Sequence, residues 1–350
     1  MIDVTKEDMI IPVVIICKAS SQIGLGHVAR CMALAEGLSS LGFNIHLLVG
    51  GDNSVVRFCE RRLEVSLAKY QLLAVEHFDK FEFDQDIQHA SAIVLDIPNL
   101  SADLLNRCLR ISKTVLALDY FKFEGELPSC IVNVFDHSSL DVQAKRKQLN
   151  VIKYYEGLKY SIVRTEFVMA RRNRCQRGER ADVSRVLVSF GGSDPAGNYL
   201  KAIEMVKKWP NKVSIDLVIG PLFRDTLDPL YSTVFEDLEI TVHKSVYSLC
   251  DLMLEADIIM CGGGGTLLES MTIGVPAIVF HQTNSEKIFS EFVAANAGCW
   301  LSDGALGLKF LSAELRSAQS EQARNLVDGK GIYRIGNQLQ QLYLSTKERK

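Results

Sequence analysis

Three times in this chain an apolar run leads into a glycine turn and then a helical pattern. The run Val13–Cys17 (VVIIC) precedes IGLGHVAR at 23–30. RVLVSFGGSDPAGN occupies 185–198, and DIIMCGGGGTLLES occupies 257–270. A short apolar run with no polar alternation is buried on both faces, which suits a strand of a parallel sheet. Parallel strands need crossovers, and the helical patterns after each turn supply them. The repeated plan therefore restricts the chain to α/β architecture.

The rhythm continues between these points. NIHLLVGG, SAIVLDIPN and KTVLALDYF read as strands in the first half, with SVVRFCERRLEV and SADLLNRCLRIS as helices. SIDLVIG, LEITVHKS and VPAIVFHQ read as strands in the second half, and the last forty residues as helices. The stretch FVMARRNRCQRGERADVS, 167–184, is arginine-rich and reads as a linker or exposed loop. The chain is thus expected to form two Rossmann-like α/β domains, 10–168 and 182–345, that face a cleft. Its 350 residues, 47% of them hydrophobic, can fill two cores.

Bulk properties remove several functional classes. A formal net charge of −3 gives no general attraction to nucleic acid or anionic lipid. The Arg171–Arg180 cluster lacks interleaved aromatics and reads as solvated. No apolar segment is long enough to span a bilayer. The start, MIDVTKEDMIIP, does not resemble a signal peptide. Nine cysteines, an odd number without a C-x-x-C pair, read as reduced thiols in a cytoplasmic protein.

The glycine turns carry the candidate chemistry. Gly24 and Gly26 allow a ligand near the backbone, and the helix that follows presents free amides to anions. His27 stands where open α/β sheets bind ligands, beyond the carboxyl ends of the strands. An imidazole there can take a proton at neutral pH. Arg30 can hold a ligand anion or pair with a carboxylate. In the second turn, Gly191, Gly192 and Ser193 place backbone near a ligand, while Ser193, Asp194 and Pro195 also fit a helix start. In the third, Gly262, Gly263, Gly264 and Gly265 exceed what a tight turn needs and suggest a phosphate cradle that ends at Thr266. Glu269 can accept hydrogen bonds from ribose hydroxyls. Neither a P-loop nor a G-x-G-x-x-G fingerprint is present. His281, Gln282, Asn284 and Glu286 follow a strand, and Asn284 can hold a sugar hydroxyl or cap the next helix. Asp96 and Asp119 end strands, with no accompanying His/Asp spacing that would mark a metal site.

G-x-G-H-x-x-R, then F-G-G-S-D-P, then G-G-G-G-T-x-x-E followed by G-x-P and a polar turn occur in that order. Together they resemble the two-domain GT-B group of nucleotide-sugar enzymes. The closer resemblance is to the UDP-2,4-diacetamido-2,4,6-trideoxy-β-L-altropyranose hydrolases of the pseudaminic-acid pathway and their spore-coat polysaccharide relatives. It spans about Val13 to Trp300, and GLKYSIVRTEF (157–167) also looks like a segment of that family. The sequence departs from it at Gly265-Thr266, where Ser-Thr is usual, and at Asn284-Ser285, where Asn-Gln is usual. It departs again at Asp96-Ile97-Pro98 and Asp119-Tyr120, in place of Asp-x-Tyr and Asp-Asp.

The resemblance implies a UDP-sugar substrate and release of UDP with inversion at the anomeric carbon. The second domain would hold UDP through the Gly191–Ser193 and Gly262–Thr266 turns and Glu269. His27 would act as general base toward water, and Asn284 would orient the sugar or the water. One base and a preorganised anion site can supply this chemistry, so no metal or cofactor is expected. Two alternatives stay open: a GT-B glycosyltransferase that uses a UDP-sugar donor, and a non-catalytic nucleotide-sugar-binding protein. The sugar and the oligomeric state are not legible.

Overall fold

The computed structural model describes residues 11–20, 24–63, 69–74, 82–83, 85–122, 125–135, 144, 153–223, 238–244, 246–303 and 308–348. They form two compact units, 1–162 with 330–350 and 163–329.

The first unit contains β1 (Pro12–Lys18), α1 (Gly26–Ser40), β2 (Asn44–Gly51), α2 (Asn53–Leu63), β3 (Lys69–Ala74), α3 (Gln85–Gln88), β4 (Ala92–Asp96), α4 (Ala102–Ile111), β5 (Val115–Leu118), β6 (Cys130–Asn133) and β7 (Lys153–Glu156). Its seven strands are all parallel, in the order β3-β2-β1-β4-β5-β6-β7. Alternate residues of β1 serve opposite layers. Val13, Ile15 and Cys17 pack with α1, while Val14 and Ile16 pack with Leu104, Leu105 and Cys108 of α4. Burial on both faces explains why these strands read as continuous apolar runs. The order reverses between β1 and β4, a switch point of the kind that opens a crevice at the strands' carboxyl ends.

The second unit contains α5 (Thr165–Arg177), β8 (Arg185–Ser189), α6 (Asn198–Lys207), β9 (Ser214–Ile219), β10 (Glu239–Lys244), α7 (Cys250–Glu255), β11 (Ile258–Cys261), α8 (Gly265–Ile273), β12 (Ala277–Val279), α9 (Asn284–Ala295), β13 (Trp300–Leu301) and α10 (Ala313–Leu326). Its parallel sheet runs β10-β9-β8-β11-β12-β13, and the switch point lies between β8 and β11. Phe190, Tyr199 and Phe280 meet edge to face beneath the turns that end β8 and β12.

Two sequence expectations change here. The first part of the arginine-rich stretch is not a loop but belongs to α5, and only 178–184 runs as a connection into β8. The arginines of the stretch close the carboxyl ends of other helices. Arg171 donates to the carbonyls of Arg324 and Val327, Arg174 to Ala256, Arg177 to Leu254 and Ala256, and Arg180 to Glu255. Terminal helix carbonyls lack intrahelical partners, and guanidinium donors satisfy them. Arg174 is 1% exposed and forms a bidentate pair with Glu179. A run rich in arginine thus reads as solvated and folds as a clamp.

The second change concerns the end of the chain. The last helix, α11 (Gly331–Lys347), belongs to the first unit rather than the second. Ile332, Ile335, Leu339 and Leu342 join the core formed by β1 and α1. A Cβ on Gly37 of α1 would come within 2.7 Å of Ile332 Cγ2, and one on Gly331 within 2.0 Å of the Ser161 carbonyl oxygen. Glycine at both places is what lets the helix return. β3, β6, β7 and β13 are short strands that the apolar pattern alone does not mark.

Candidate functional site

In the first unit the site grows from the switch point. β1 and β4 pair with Cys17 opposite Asp96, so the last residue of β4 lies beside the end of β1. α1 begins at Gly26, which places His27 in its first turn and Arg30 just after it, above that point. Asp96 Oδ1 accepts a hydrogen bond from His27 Nδ1 at 2.7 Å. Arg30 donates through Nε to Asp96 Oδ2 and through Nη2 to Asp96 Oδ1, both at 2.6 Å, and through Nη1 to Asp119 Oδ2. Cys31 Sγ adds a longer contact of 3.3 Å to Asp96 Oδ2.

Asp96 is 1% exposed, whereas the His27 side chain is 29% exposed. Burial pushes the Asp96 carboxyl upward, but the charge and hydrogen bonds of Arg30, then those of His27, outweigh it. The group sits well below the usual carboxylate range. Burial pulls Arg30 down, and the Asp96 and Asp119 charges more than reverse this. Arg30 is therefore a carboxylate partner, one of the two roles open from sequence. Asp119 holds positive φ (47°), and its Oδ1 accepts from the Val134 amide. With Nδ1 hydrogen-bonded to a carboxylate, the imidazole carries that proton inward and leaves Nε2 as the basic nitrogen. Gly24 and Gly26 lie just before His27. Gly24 has φ +90°, and a Cβ at either would meet nothing within 4 Å. Ile23, the first residue of the IGLGHVAR turn, lies outside the described residues.

In the second unit the turns after β8, β11 and β12 gather at the carboxyl edge of the sheet. The four glycines divide into two pairs. Gly262 and Gly263 are buried, and their hydrogens face α9. A Cβ on Gly262 would stand 2.8 Å from Gln282 Nε2, and one on Gly263 2.9 Å from the Glu286 carbonyl oxygen. The Gly263 amide donates to Glu286 Oε2 at 3.2 Å, and so does the Gln282 amide at 2.9 Å. Gln282 Nε2 in turn donates to the Phe190 carbonyl, which ties all three turns together. Packing thus accounts for the first two glycines. Gly264 caps α8 without a side-chain hydrogen bond, Gly265 is exposed with open space around it, and Thr266 is half-buried. The open amides of this turn are those at the start of α8.

Gly191 (φ +70°) and Ser193 are exposed, and Gly192 is half-buried. Both glycine carbonyls press on Gly220, where a Cβ would meet Gly191 O at 2.0 Å and Gly192 O at 2.4 Å. Asp194 alone caps α6: Oδ1 accepts from the Asn198 amide and Oδ2 from the Tyr199 amide, each at 2.8 Å. The helix starts at Asn198, so Pro195 lies in the preceding turn and not in the first helical turn. Asn284 is exposed at the first position of α9. The cap of that helix is Thr283, whose Oγ1 accepts from the Glu286 amide. Glu269, in α8, accepts on Oε1 from Arg164 Nε at 3.0 Å and Nη2 at 2.9 Å.

Sequence reasoning missed the structural work of Glu286 and Arg164. For Glu286 a signal exists, since Thr283-x-x-Glu286 has the spacing of a capping box. Here the glutamate reaches past its own helix to the glycine turn.

Two parallel-sheet α/β units in these strand orders define the GT-B class of fold, and solved structures agree. The chain superposes on MurG of Acinetobacter baumannii with a TM-score of 0.63 at 15% identity, covering 94% of this chain and 99% of that one. It superposes on TcCGT1 in complex with UDP with a TM-score of 0.53 at 11% identity, covering 95% and 94%. No family model matches. By sequence the chain is 26% identical over 340 residues to the spore coat polysaccharide biosynthesis protein SpsG of Bacillus subtilis, covering 91% of this chain and 95% of that protein. It is 24% identical over 281 residues to the uncharacterized protein MJ1062 of Methanocaldococcus jannaschii, covering 79% of this chain and 56% of the length of that relative. Among the described residues no helix is long and apolar enough to cross a membrane.

Proposed function

We propose that this chain hydrolyses a UDP-linked amino-sugar at its anomeric carbon, releasing UDP and free sugar for the synthesis of a nonulosonic acid or surface polysaccharide. The observation that carries the reading is the 2.7 Å contact between His27 Nδ1 and the buried Asp96. It leaves Nε2 to take a proton from water as the water oxygen bonds to C1 and the C1–O bond to the diphosphate breaks. Asp96 then faces an imidazolium, whose charge it offsets. In the second unit, the open amides at the start of α8 and the Gly191–Ser193 turn bind the diphosphate and receive its developing charge. Glu269 takes the ribose, and Asn284 orients the sugar or the water. The UDP carried by one fold neighbour and the polysaccharide role in the name of one relative support the choice of substrate class.

Incubating the purified chain with a panel of UDP-linked amino-sugars tests this. Release of UDP and free sugar in water alone supports hydrolysis. Release only when an acceptor hydroxyl is added would make the chain a transferase, and binding without turnover would make it a non-catalytic receptor.

A further inference from the structure

The segment GLKYSIVRTEF stands out in the sequence but has no part in the chemistry above. Its arginine accounts for it. Arg164 precedes α5 as its N-terminal flanking residue, and its side chain is 16% exposed. Nε and Nη2 both donate to Glu269 Oε1, at 3.0 and 2.9 Å. Nη1 donates to the Tyr247 carbonyl at 3.2 Å and lies 3.0 Å from Glu166 Oε1. The guanidinium carbon stands 4.6 Å from the centre of the Phe167 ring, which fixes the plane of the group. Glu166 Oε1 also accepts from Ser248 Oγ at 2.7 Å, and Ser248 Oγ accepts from the Cys250 amide that starts α7. One guanidinium therefore joins the α8 carboxylate to the 247–250 turn.

We propose that Arg164 is the positioning residue for nucleoside recognition. It holds the Glu269 carboxylate in one orientation before a ligand arrives and fixes the 247–250 turn at a set distance from it. The inference rests on the reading that Glu269 takes the ribose. Without this partner the half-buried Glu269 carboxylate would sample several rotamers, and ordering it on binding would weaken affinity. A planar guanidinium with two donors on one oxygen removes that freedom in a way a lysine ammonium cannot. The effect belongs to the sugar hydroxyls and not to the phosphates, because those are assigned to amides of other turns.

Calorimetry with UDP and 2′,3′-dideoxy-UDP on the full chain separates these contributions. Hydrogen bonds to a charged acceptor predict that the wild-type protein prefers UDP by about tenfold or more. R164K and R164Q are expected to bring the two affinities within about threefold of each other, the preference having been set by a carboxylate they no longer orient. E269Q should do the same, and R164Q/E269Q should add nothing further. Equal weakening of both ligands, with the ratio intact in folded R164K, would overturn the positioning role and leave the ribose role standing. A wild-type protein that binds UDP without preference, or does not bind it, would overturn the ribose reading and this inference with it.

Discussion

His27 Nδ1 lies 2.7 Å from Oδ1 of Asp96, a carboxylate that is 1% exposed and also grips Arg30 through both oxygens. The two residues are 69 apart in sequence and become neighbours only because β1 and β4 pair at the switch point of the sheet. If this pair is the proton-handling device, removing the imidazole removes general-base catalysis and leaves the nucleotide turns untouched. His27→Ala is expected to lower UDP release by about two to four orders of magnitude while retaining UDP affinity. Steady-state rates and calorimetry on the same preparation check it, and near-normal turnover would exclude His27.

Asp96→Asn keeps an acceptor for Nδ1 but loses the charge that offsets the imidazolium. Its rate is expected to fall by up to about 10⁴, the loss seen when the carboxylate of a Ser–His–Asp triad is neutralised. An unchanged rate and pH profile would show that Asp96 serves only Arg30.

The same residue makes a stability prediction. The folded-state pKa of Asp96 lies below the unfolded value near 3.9, because Arg30 and His27 together outweigh burial. Its pairs therefore stabilise the fold fully above about pH 4, and this contribution fades as pH falls below that value toward the folded-state one. Acidifying from about pH 5 to pH 3 should lower the melting temperature of the wild-type protein more than that of D96N. Equal slopes for the two proteins would contradict the assignment.

The glycine turn should respond unevenly to alanine. Gly263→Ala pushes a methyl against the Glu286 backbone and is expected to cost about 1–3 kcal/mol in denaturant unfolding. Gly265→Ala enters open space at the first position of α8 and should be neutral or stabilising by up to about 1 kcal/mol. If both cost the same, packing is not what demands glycine at 262 and 263.

Gly220 provides a remote handle on the second turn. A methyl there would overlap the Gly191 and Gly192 carbonyls, and backbone on both sides leaves little room to adjust. Gly220→Ala is expected to destabilise by about 1–3 kcal/mol and to weaken UDP binding by displacing the 191–193 turn. Lost stability with unaltered UDP affinity would remove that turn from the phosphate site.

By itself the sequence determined the α/β class, the recurring strand–turn–helix plan and the glycine turns that end its strands. These follow from local physics: uninterrupted apolar runs need burial on both faces, and glycine relaxes the backbone where it must bend. Only the tertiary structure decided who partners whom. It paired His27 with Asp96, turned Arg30 from a possible anion holder into a carboxylate clamp, and gave Gly262 and Gly263 to helix packing. It also converted an arginine-rich stretch from a solvated linker into a set of helix caps and sent α11 back to the first unit. Charged and polar side chains take their meaning from partners brought near by long-range pairing, and sequence spacing does not encode that proximity.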